Sequence, residues 1–189
     1  MKTDGEEKFE LLGAGDFPEI GEIEESGSSY EENAAIKAEE WANFADMPAL
    51  ADDSGLEVRA LDWEPGIYSA RASSGSDSDR IEWLLSRMES QEDRRARFVA
   101  CIVIAFPGNG NRGNGYFSSR GICRGHITCA PKGCGGFGYD PVFVPDGYDT
   151  TFAEMGSARK SKISHRAIAM RGVAHIMQSV IKYHAVQCG

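Results

Sequence analysis

The chain has 189 residues, of which 41% are hydrophobic, and its formal net charge is −9 at pH 7. The length and composition suit a single domain over residues 1–189 with a real core. The acidic balance argues against a nucleic-acid partner, because it repels phosphate backbones. No apolar run is long enough to span a membrane, no signal peptide opens the chain, and the five cysteines form no regular framework. We therefore expect a cytoplasmic protein without membrane contact.

Hydrophobic spacing and turn residues predict the elements of the first half. A short strand and turn are expected in residues 8–18, followed by an acidic loop over 19–29. A capping box at Ser28–Glu31 or Ser29–Glu32 and an alanine-rich stripe predict a helix over 30–45. The stretch "PALADDSGLEVRAL" at 48–61 predicts two short strands joined by a tight turn at Ser54-Gly55.

The second half continues the alternation of helices and strands. In chain order we expect a loop over 63–78 and a helix over 77–88. A strand over 95–106, buried on both faces, should follow, with its antiparallel partner over 115–128. Beyond these we expect a strand over 141–144, a capping box at Thr151 and Glu154, and a final helix over 164–182. Strands interleaved with helices predict the α/β class, with a mixed sheet flanked by helices.

Two adjacent carboxylates, Asp52 and Asp53, are the first candidate for chemistry. Neighbours on a strand point to opposite faces, so both can reach one point only if the strand ends at Ser54-Gly55. Carboxylate oxygens are the ligands that Mg²⁺ prefers, and one or two of them suffice beside a substrate phosphate. The alternative is a turn with solvated carboxylates.

Two further stretches suggest ligand contacts. In "GGFGYDPVF", the glycines free the backbone for close approach and Phe137 offers a stacking surface for a purine, although its aromatic rings could instead fill the core. In "KSKISHRAIAM", Ser164 is a natural N-cap, which places His165 and Arg166 in the first helical turn, where acceptors and anions are favoured. The alternative is a solvated basic turn.

Two weaker patterns stay open at this stage. Asn33 and Lys37 lie on one face of the first helix, either as site residues or as part of an exposed charged surface. A cluster of Cys123, His126, Cys129 and Cys134 suggests a zinc-dependent regulatory module, but the spacing is not that of a standard zinc motif. On a strand, His126 would also point away from Cys123.

Taken together, the motifs resemble those of the inosine triphosphate pyrophosphatase family, which acts on non-standard purine nucleoside triphosphates. The matching stretches are "SYEENAAIKA", "LADDSGLEVRAL", "PGIYSAR", "GGFGYDPVFVPDGYDTTFAEM" and "KSKISHR", in the family's order. The resemblance implies Mg²⁺-dependent hydrolysis of ITP, dITP and XTP to the monophosphate and pyrophosphate. It also implies an elongated mixed sheet, two lobes around a central cleft, and a homodimer.

Matching positions carry the family's residue roles onto this chain. Asp53 resembles the general base and a metal ligand, and Glu24 resembles a second metal-side carboxylate. The resemblance assigns substrate contacts to Lys37, Ser54, Phe137, Gly138, Tyr139, Asp140, Lys160, His165 and Arg166. Among these, the lysines would contact phosphate, residues 137–140 would form the base pocket, and His165 and Arg166 would read the purine 6-oxo group.

The chain also departs from the family pattern. The family opens with an apolar strand and a Thr/Ser-Gly-Asn-x-x-Lys loop, and these residues contain neither. Because that loop contributes to phosphate binding in the family, a catalytically impaired nucleotide-binding or dimerising protein of the same fold is the alternative hypothesis.

Overall fold

A computed structural model describes residues 10–108 and 115–187, with side chains through residue 178. Within these ranges, four strands form one sheet in the order β1-β2-β3-β4: β1 (Ala49–Val58), β2 (Arg95–Ala105), β3 (Tyr116–Ile127) and β4 (Phe143–Pro145). The helices are α1 (Tyr30–Ala45), α2 (Asp77–Arg87), α3 (Ser157–Ile163) and α4 (His165–Gln187). The α/β class, with a sheet flanked by helices, is confirmed. Among the described residues the sheet is antiparallel and not mixed as expected, because each strand pairs with its neighbour in sequence without the crossover that parallel pairing needs.

Local sequence signals predicted the first two helices and the central hairpin correctly. Helix α1 has the expected bounds, and Ser29 caps it by accepting a hydrogen bond from the Glu32 amide. Ser76 and Asp79 form a capping box at the start of α2. Strand β2 is buried on both faces over nearly its whole length and pairs antiparallel with β3, as predicted.

The prediction of a tight turn at Ser54-Gly55 is wrong, because β1 runs through both residues without a break. Gly55 serves a different purpose. A Cβ atom on Gly55 would lie 2.1 Å from the Gly66 carbonyl oxygen and 2.6 Å from the Ser69 hydroxyl. The glycine therefore allows the 3-10 helix Gly66–Arg71 to pack against the strand, in a segment that was predicted as loop.

Smaller differences concern the ends of elements. Residues 10–12 form no strand, and residues 8 and 9 of that prediction lie outside the described residues. Asp140–Val142 is a 3-10 helix, so β4 begins only at Phe143. Thr151 and Glu154 exchange the expected capping hydrogen bonds, but these close a turn, and α3 begins later, at Ser157. The last helix begins at His165 after the Ser164 cap, as predicted, and ends five residues beyond the expected end.

The two faces of the sheet are covered by different helices. Helix α1 packs on the face that includes Val99 and Cys101, whereas α4 packs on the face that includes Ala100 and Ile102. A third cluster joins the end of β1 and helix α2 to the aromatic residues that follow β3. Within the described ranges, no helix combines the length and apolarity needed to cross a bilayer.

Close packing at Gly121 fixes the first turns of α4 on the sheet. A Cβ atom at this position would lie 2.0 Å from the His165 carbonyl oxygen and 2.5 Å from the Ala169 amide nitrogen. We expect Gly121→Ala to lower the free energy of unfolding by about 3 kcal/mol, because both contacts are backbone atoms that cannot move aside locally. Denaturant unfolding would measure this. Gly115→Ala, which meets open space, is the matched control and should change stability little.

Candidate active site

Asp53 is the centre of a polar group on the α1 face of the sheet, named here the carboxylate cluster (Glu25, Asn33, Lys37 and Asp53). Strand alternation points Asp53 toward α1, where Asn33 Nδ2 donates to its Oδ2 at 3.2 Å. Lys37 Nζ lies 3.6 Å from Asp53 Oδ1 and 2.7 Å from Glu25 Oε1. The α1 face therefore brings together two carboxylates, an ammonium group and an amide, so Asn33 and Lys37 are not part of a purely solvated surface.

Burial raises the pKa of Asp53 above its usual value, because the charged form loses hydration. The negative charge of Glu25 acts in the same direction, whereas Lys37, Asn33 and the Ser54 amide oppose it. A carboxyl group with a raised pKa is a stronger base than an exposed aspartate. This environment suits proton transfer from a water molecule.

The acidic loop before α1 contributes one carboxylate to this cluster. Glu25 lies between Lys37 and Arg71, whose Nη2 is 3.3 Å from Glu25 Oε2. Glu24, to which the resemblance assigns the metal role, is exposed in the same loop. The structure thus identifies Glu25 as a neighbour of Asp53 that the sequence did not single out, and the role of Glu24 stays a prediction.

The glycine-rich loop after β3 presents one aromatic ring to solvent and buries the other. Phe137 is 59% exposed, whereas Tyr139 is buried in the core and donates its hydroxyl to the Ser69 carbonyl at 3.1 Å. Tyr139 thus fills the core, whereas Phe137 is free of the core and its stacking role stays a prediction. Gly138 has a φ of +59°, and its amide donates to Asp77 Oδ2 at 2.6 Å, which ties the loop to the start of α2.

Two cations lie over the exposed ring. Lys160 Nζ is 4.5 Å and Arg166 Cζ is 5.4 Å from the centroid of Phe137. Buried Asp140 accepts a hydrogen bond from the Phe137 amide and forms an ion pair with Lys160. We name Phe137, Asp140, Lys160, His165 and Arg166 the ring cluster. In the structure Lys160 belongs to this cluster, and its predicted contact with phosphate stays a prediction.

His165 is buried beside these cations. Its ring stacks on Phe98 at a centroid distance of 4.7 Å and an interplanar angle of 10°. Burial, with the charges of Arg166 and Lys160, lowers the pKa of His165 to about 3, so the imidazole is neutral at pH 7. Its buried Nδ1 has no hydrogen-bond partner in the described structure. An unpaired buried polar atom of this kind suits a ligand that supplies the missing partner.

Arg166 connects the ring cluster to strand β1 next to Asp53. Its Nε donates to Asp52 Oδ2 at 2.7 Å, although the two residues are 114 positions apart in sequence. Asp52 is on the α4 face of β1, directly before Asp53, and half-buried Ser54 lies on the same face. The same guanidinium lies over Phe137, so the ring cluster reaches β1 at the residue next to Asp53, while the carboxylate cluster lies on the opposite face of that strand.

Three residues that support the site carry little signal in the sequence. Glu25 is one of several acidic loop residues, Asp77 has the pattern of an ordinary helix-start acid, and Phe98 lies within an apolar strand. Their partners are distant in sequence, so spacing alone could not reveal them. The only available signal concerns Asp77, because an acidic residue at the start of a helix is expected to accept hydrogen bonds from amide groups.

The carboxylate cluster fits a divalent cation that is bound together with phosphate. Within residues 10–108 and 115–187, no group of three His, Cys, Asp or Glu side chains could hold a metal ion. The oxygens of Asp53 and a loop glutamate are the donors that Mg²⁺ prefers, and Mg²⁺ commonly completes its shell with phosphate oxygens and water. The donor set thus fits such an ion but does not form a complete cage.

The cysteine and histidine cluster does not converge. Cys123 faces the core, where burial raises the pKa of its thiol to about 11, and His126 is exposed on the opposite face of β3, as predicted. Cys129 and Cys134 are free and exposed. The structure gives the zinc hypothesis no ligand set among the described residues.

The protein is thus of the α/β type, with a carboxylate–lysine cluster between β1 and α1 and an aromatic platform with cationic neighbours that contacts the same strand at Asp52. The chain belongs to the Ham1 family, whose model matches residues 2–176.

Relatives with assigned names support this membership. The chain is 46% identical over 156 residues to a dITP/XTP pyrophosphatase of Deinococcus deserti, covering 80% of this chain and 72% of the relative. It is 44% identical over 167 residues to a dITP/XTP pyrophosphatase of Oceanobacillus iheyensis, covering 86% and 82%. The structure of the Staphylococcus aureus Ham1 protein superposes with a TM-score of 0.81 at 38% identity, covering 90% of this chain and 87% of that one. The family resemblance read from the sequence is confirmed.

Proposed function

We propose that this protein hydrolyses non-standard purine nucleoside triphosphates, namely ITP, dITP and XTP, to the monophosphate and pyrophosphate with Mg²⁺ as cofactor. The observation that carries the proposal is Arg166, which contacts both Asp52 and the ring of Phe137. That contact places the ring cluster, which suits a planar base, beside the strand neighbour of Asp53, whose own cluster suits phosphate chemistry. The names of the relatives support the same activity.

The carboxylate cluster would perform the hydrolysis. A water molecule attacks the α-phosphorus, the new O–P bond forms as the α–β anhydride bond breaks, and pyrophosphate leaves. Asp53 accepts the proton of the attacking water, which its raised pKa favours. Lys37, held between Glu25 and Asp53, neutralises phosphate charge. Asp53 and a loop glutamate would hold Mg²⁺, which when bound would supply further charge neutralisation and polarisation of the phosphoryl oxygens.

The ring cluster would select the base. A purine stacks on Phe137, where it meets the donors of Arg166 and the neutral imidazole of His165. A 6-oxo group accepts hydrogen bonds, whereas the 6-amino group of adenine donates them. Adenine would therefore leave donors facing donors, which is a strong basis for rejection.

The proposal also covers the oligomeric state and the cellular compartment. The protein would act as a homodimer in the cytoplasm, in line with the family resemblance, its acidic charge and its free cysteines. Size-exclusion chromatography with light scattering would test the dimer, and a monomer of about 21 kDa at micromolar concentration would contradict it.

Pyrophosphate release tests the activity directly. Purified protein with ITP and Mg²⁺ should release pyrophosphate and monophosphate in equal amounts, ATP should be a much poorer substrate, and chelation of the metal should stop the reaction. ITP binding without turnover would instead support the alternative of a nucleotide-binding protein. Equal turnover of ITP and ATP would contradict the selection of the base.

Removal of the stacking ring should weaken substrate binding. We expect Phe137→Ala to raise KM for ITP about tenfold with a small change in kcat, because base–aromatic stacking contributes about 1–3 kcal/mol and acts equally on the ground and transition states. Phe117→Ala removes an exposed ring on β3 and is the matched control. Equal KM values for the Phe137 variant and the control would exclude the stacking role.

A further inference from the structure

Asp52 has no role in the proposed hydrolysis, although it directly precedes the general base. Because β1 continues through Ser54, the side chains of Asp52 and Asp53 point to opposite faces of the sheet. Asp53 faces α1, whereas Asp52 faces α4 and accepts from Arg166. The two adjacent carboxylates therefore cannot act on one point, and Asp52 needs a separate explanation.

The ion pair between Asp52 and Arg166 contributes little to the stability of the fold. The side chains are 37% and 40% exposed, and a pair in such an environment contributes about 0–1 kcal/mol. The start of α4 is already held by the Ser164 cap and by close packing on Gly121. Stability therefore does not account for the contact.

Orientation of the guanidinium gives a better account. A guanidinium has five N–H donors in a rigid plane, and Asp52 engages the one on Nε. Among the described residues, no hydrogen bond uses the four donors on the two terminal nitrogens. With Nε fixed and Cζ 5.4 Å from the centroid of Phe137, these donors remain available beside the exposed ring.

We infer that Asp52 is a positioning residue for base selection: by holding Arg166 at Nε, it directs the terminal N–H groups toward the 6-oxo edge of a purine stacked on Phe137. This inference rests on the proposed function. It divides the adjacent carboxylates between the two ends of the substrate, with Asp53 acting at the phosphate and Asp52 acting on the base through Arg166.

Discrimination between ITP and ATP tests the inference. We expect Asp52→Ala to lower the ratio of the two kcat/KM values about tenfold, through a higher KM for ITP with kcat within about twofold. Asp52→Asn keeps an acceptor for Nε and should give a smaller loss. In an Arg166→Ala background, the Asp52 substitutions should add less than a twofold effect, because the group they position is absent.

A matched control separates positioning from general loss of an ion pair. Glu64→Gln removes the partner of Arg87 in another exposed pair and should leave the ratio unchanged. The inference is overturned if Asp52→Ala keeps the wild-type ratio while Arg166→Ala loses it, or if Asp52→Ala lowers the ratio equally in the Arg166→Ala background. If Arg166→Ala itself keeps full discrimination, the fault lies instead in the proposed reading of the base by Arg166.

Discussion

Asp53→Asn should lower kcat for ITP hydrolysis by about 10³-fold without lowering the melting temperature. The loss is expected because an amide cannot accept the proton of the attacking water and is a poor ligand for Mg²⁺. Stability should hold or rise because burial disfavours the charged carboxylate, as its raised pKa indicates. Lys37 keeps its ion pair with Glu25 in the variant.

Steady-state kinetics and thermal unfolding measured on the same preparation would check both parts. Asp62→Asn, at an exposed position, is the matched control and should keep wild-type kcat. A variant at position 53 that retains more than about a tenth of wild-type kcat would show that another group accepts the proton.

Acidification should destabilise the protein through His165. The folded state holds this imidazole with a pKa of about 3, whereas an unfolded chain titrates near the ordinary value of 6.5. Below pH 6.5 the unfolded state therefore binds more protons, and stability is lost as the pH falls from 6.5 toward 3. The contribution above pH 6.5 is constant. Between pH 7 and pH 5 we expect a loss of about 2 kcal/mol from this residue, since one pH unit corresponds to about 1.4 kcal/mol.

Denaturant unfolding at pH 7, 6 and 5 would measure this dependence. His165→Phe keeps a flat ring against Phe98 but removes the titrating group, so its stability should fall less over the same range. His126→Gln removes an exposed histidine and serves as the control. Parallel curves for wild type and His165→Phe would mean that the buried imidazole is not held in its neutral form.

The sequence was most informative where structure is locally determined. Helix α1 follows from its Ser29 cap and alanine stripe, and β2 follows from its continuous apolar run. The chain through Ser54-Gly55 was mispredicted because a glycine signals either a turn or a close approach. Only the position of residues 66–69, which pack against Gly55 in the folded chain, distinguishes the two.

In the candidate site, too, local features could be predicted from the sequence and contacts between distant residues could not. The residue types of the clusters could be predicted from motifs, since a carboxylate pair, a glycine-framed ring and a basic helix start each suggest a chemistry. Their partners could not be predicted, because Asp52 meets Arg166 and Gly138 meets Asp77 across 114 and 61 positions. Such contacts depend on how the folded chain brings distant elements together and not on local spacing.

The position of water attack tests the central claim most directly. ITP would be hydrolysed with Mg²⁺ in ¹⁸O-labelled water, and the products would be analysed by mass spectrometry. Attack beside Asp53 at the α-phosphorus predicts one labelled oxygen in the monophosphate and none in pyrophosphate. Label in pyrophosphate, or release of orthophosphate with the diphosphate, would contradict the account.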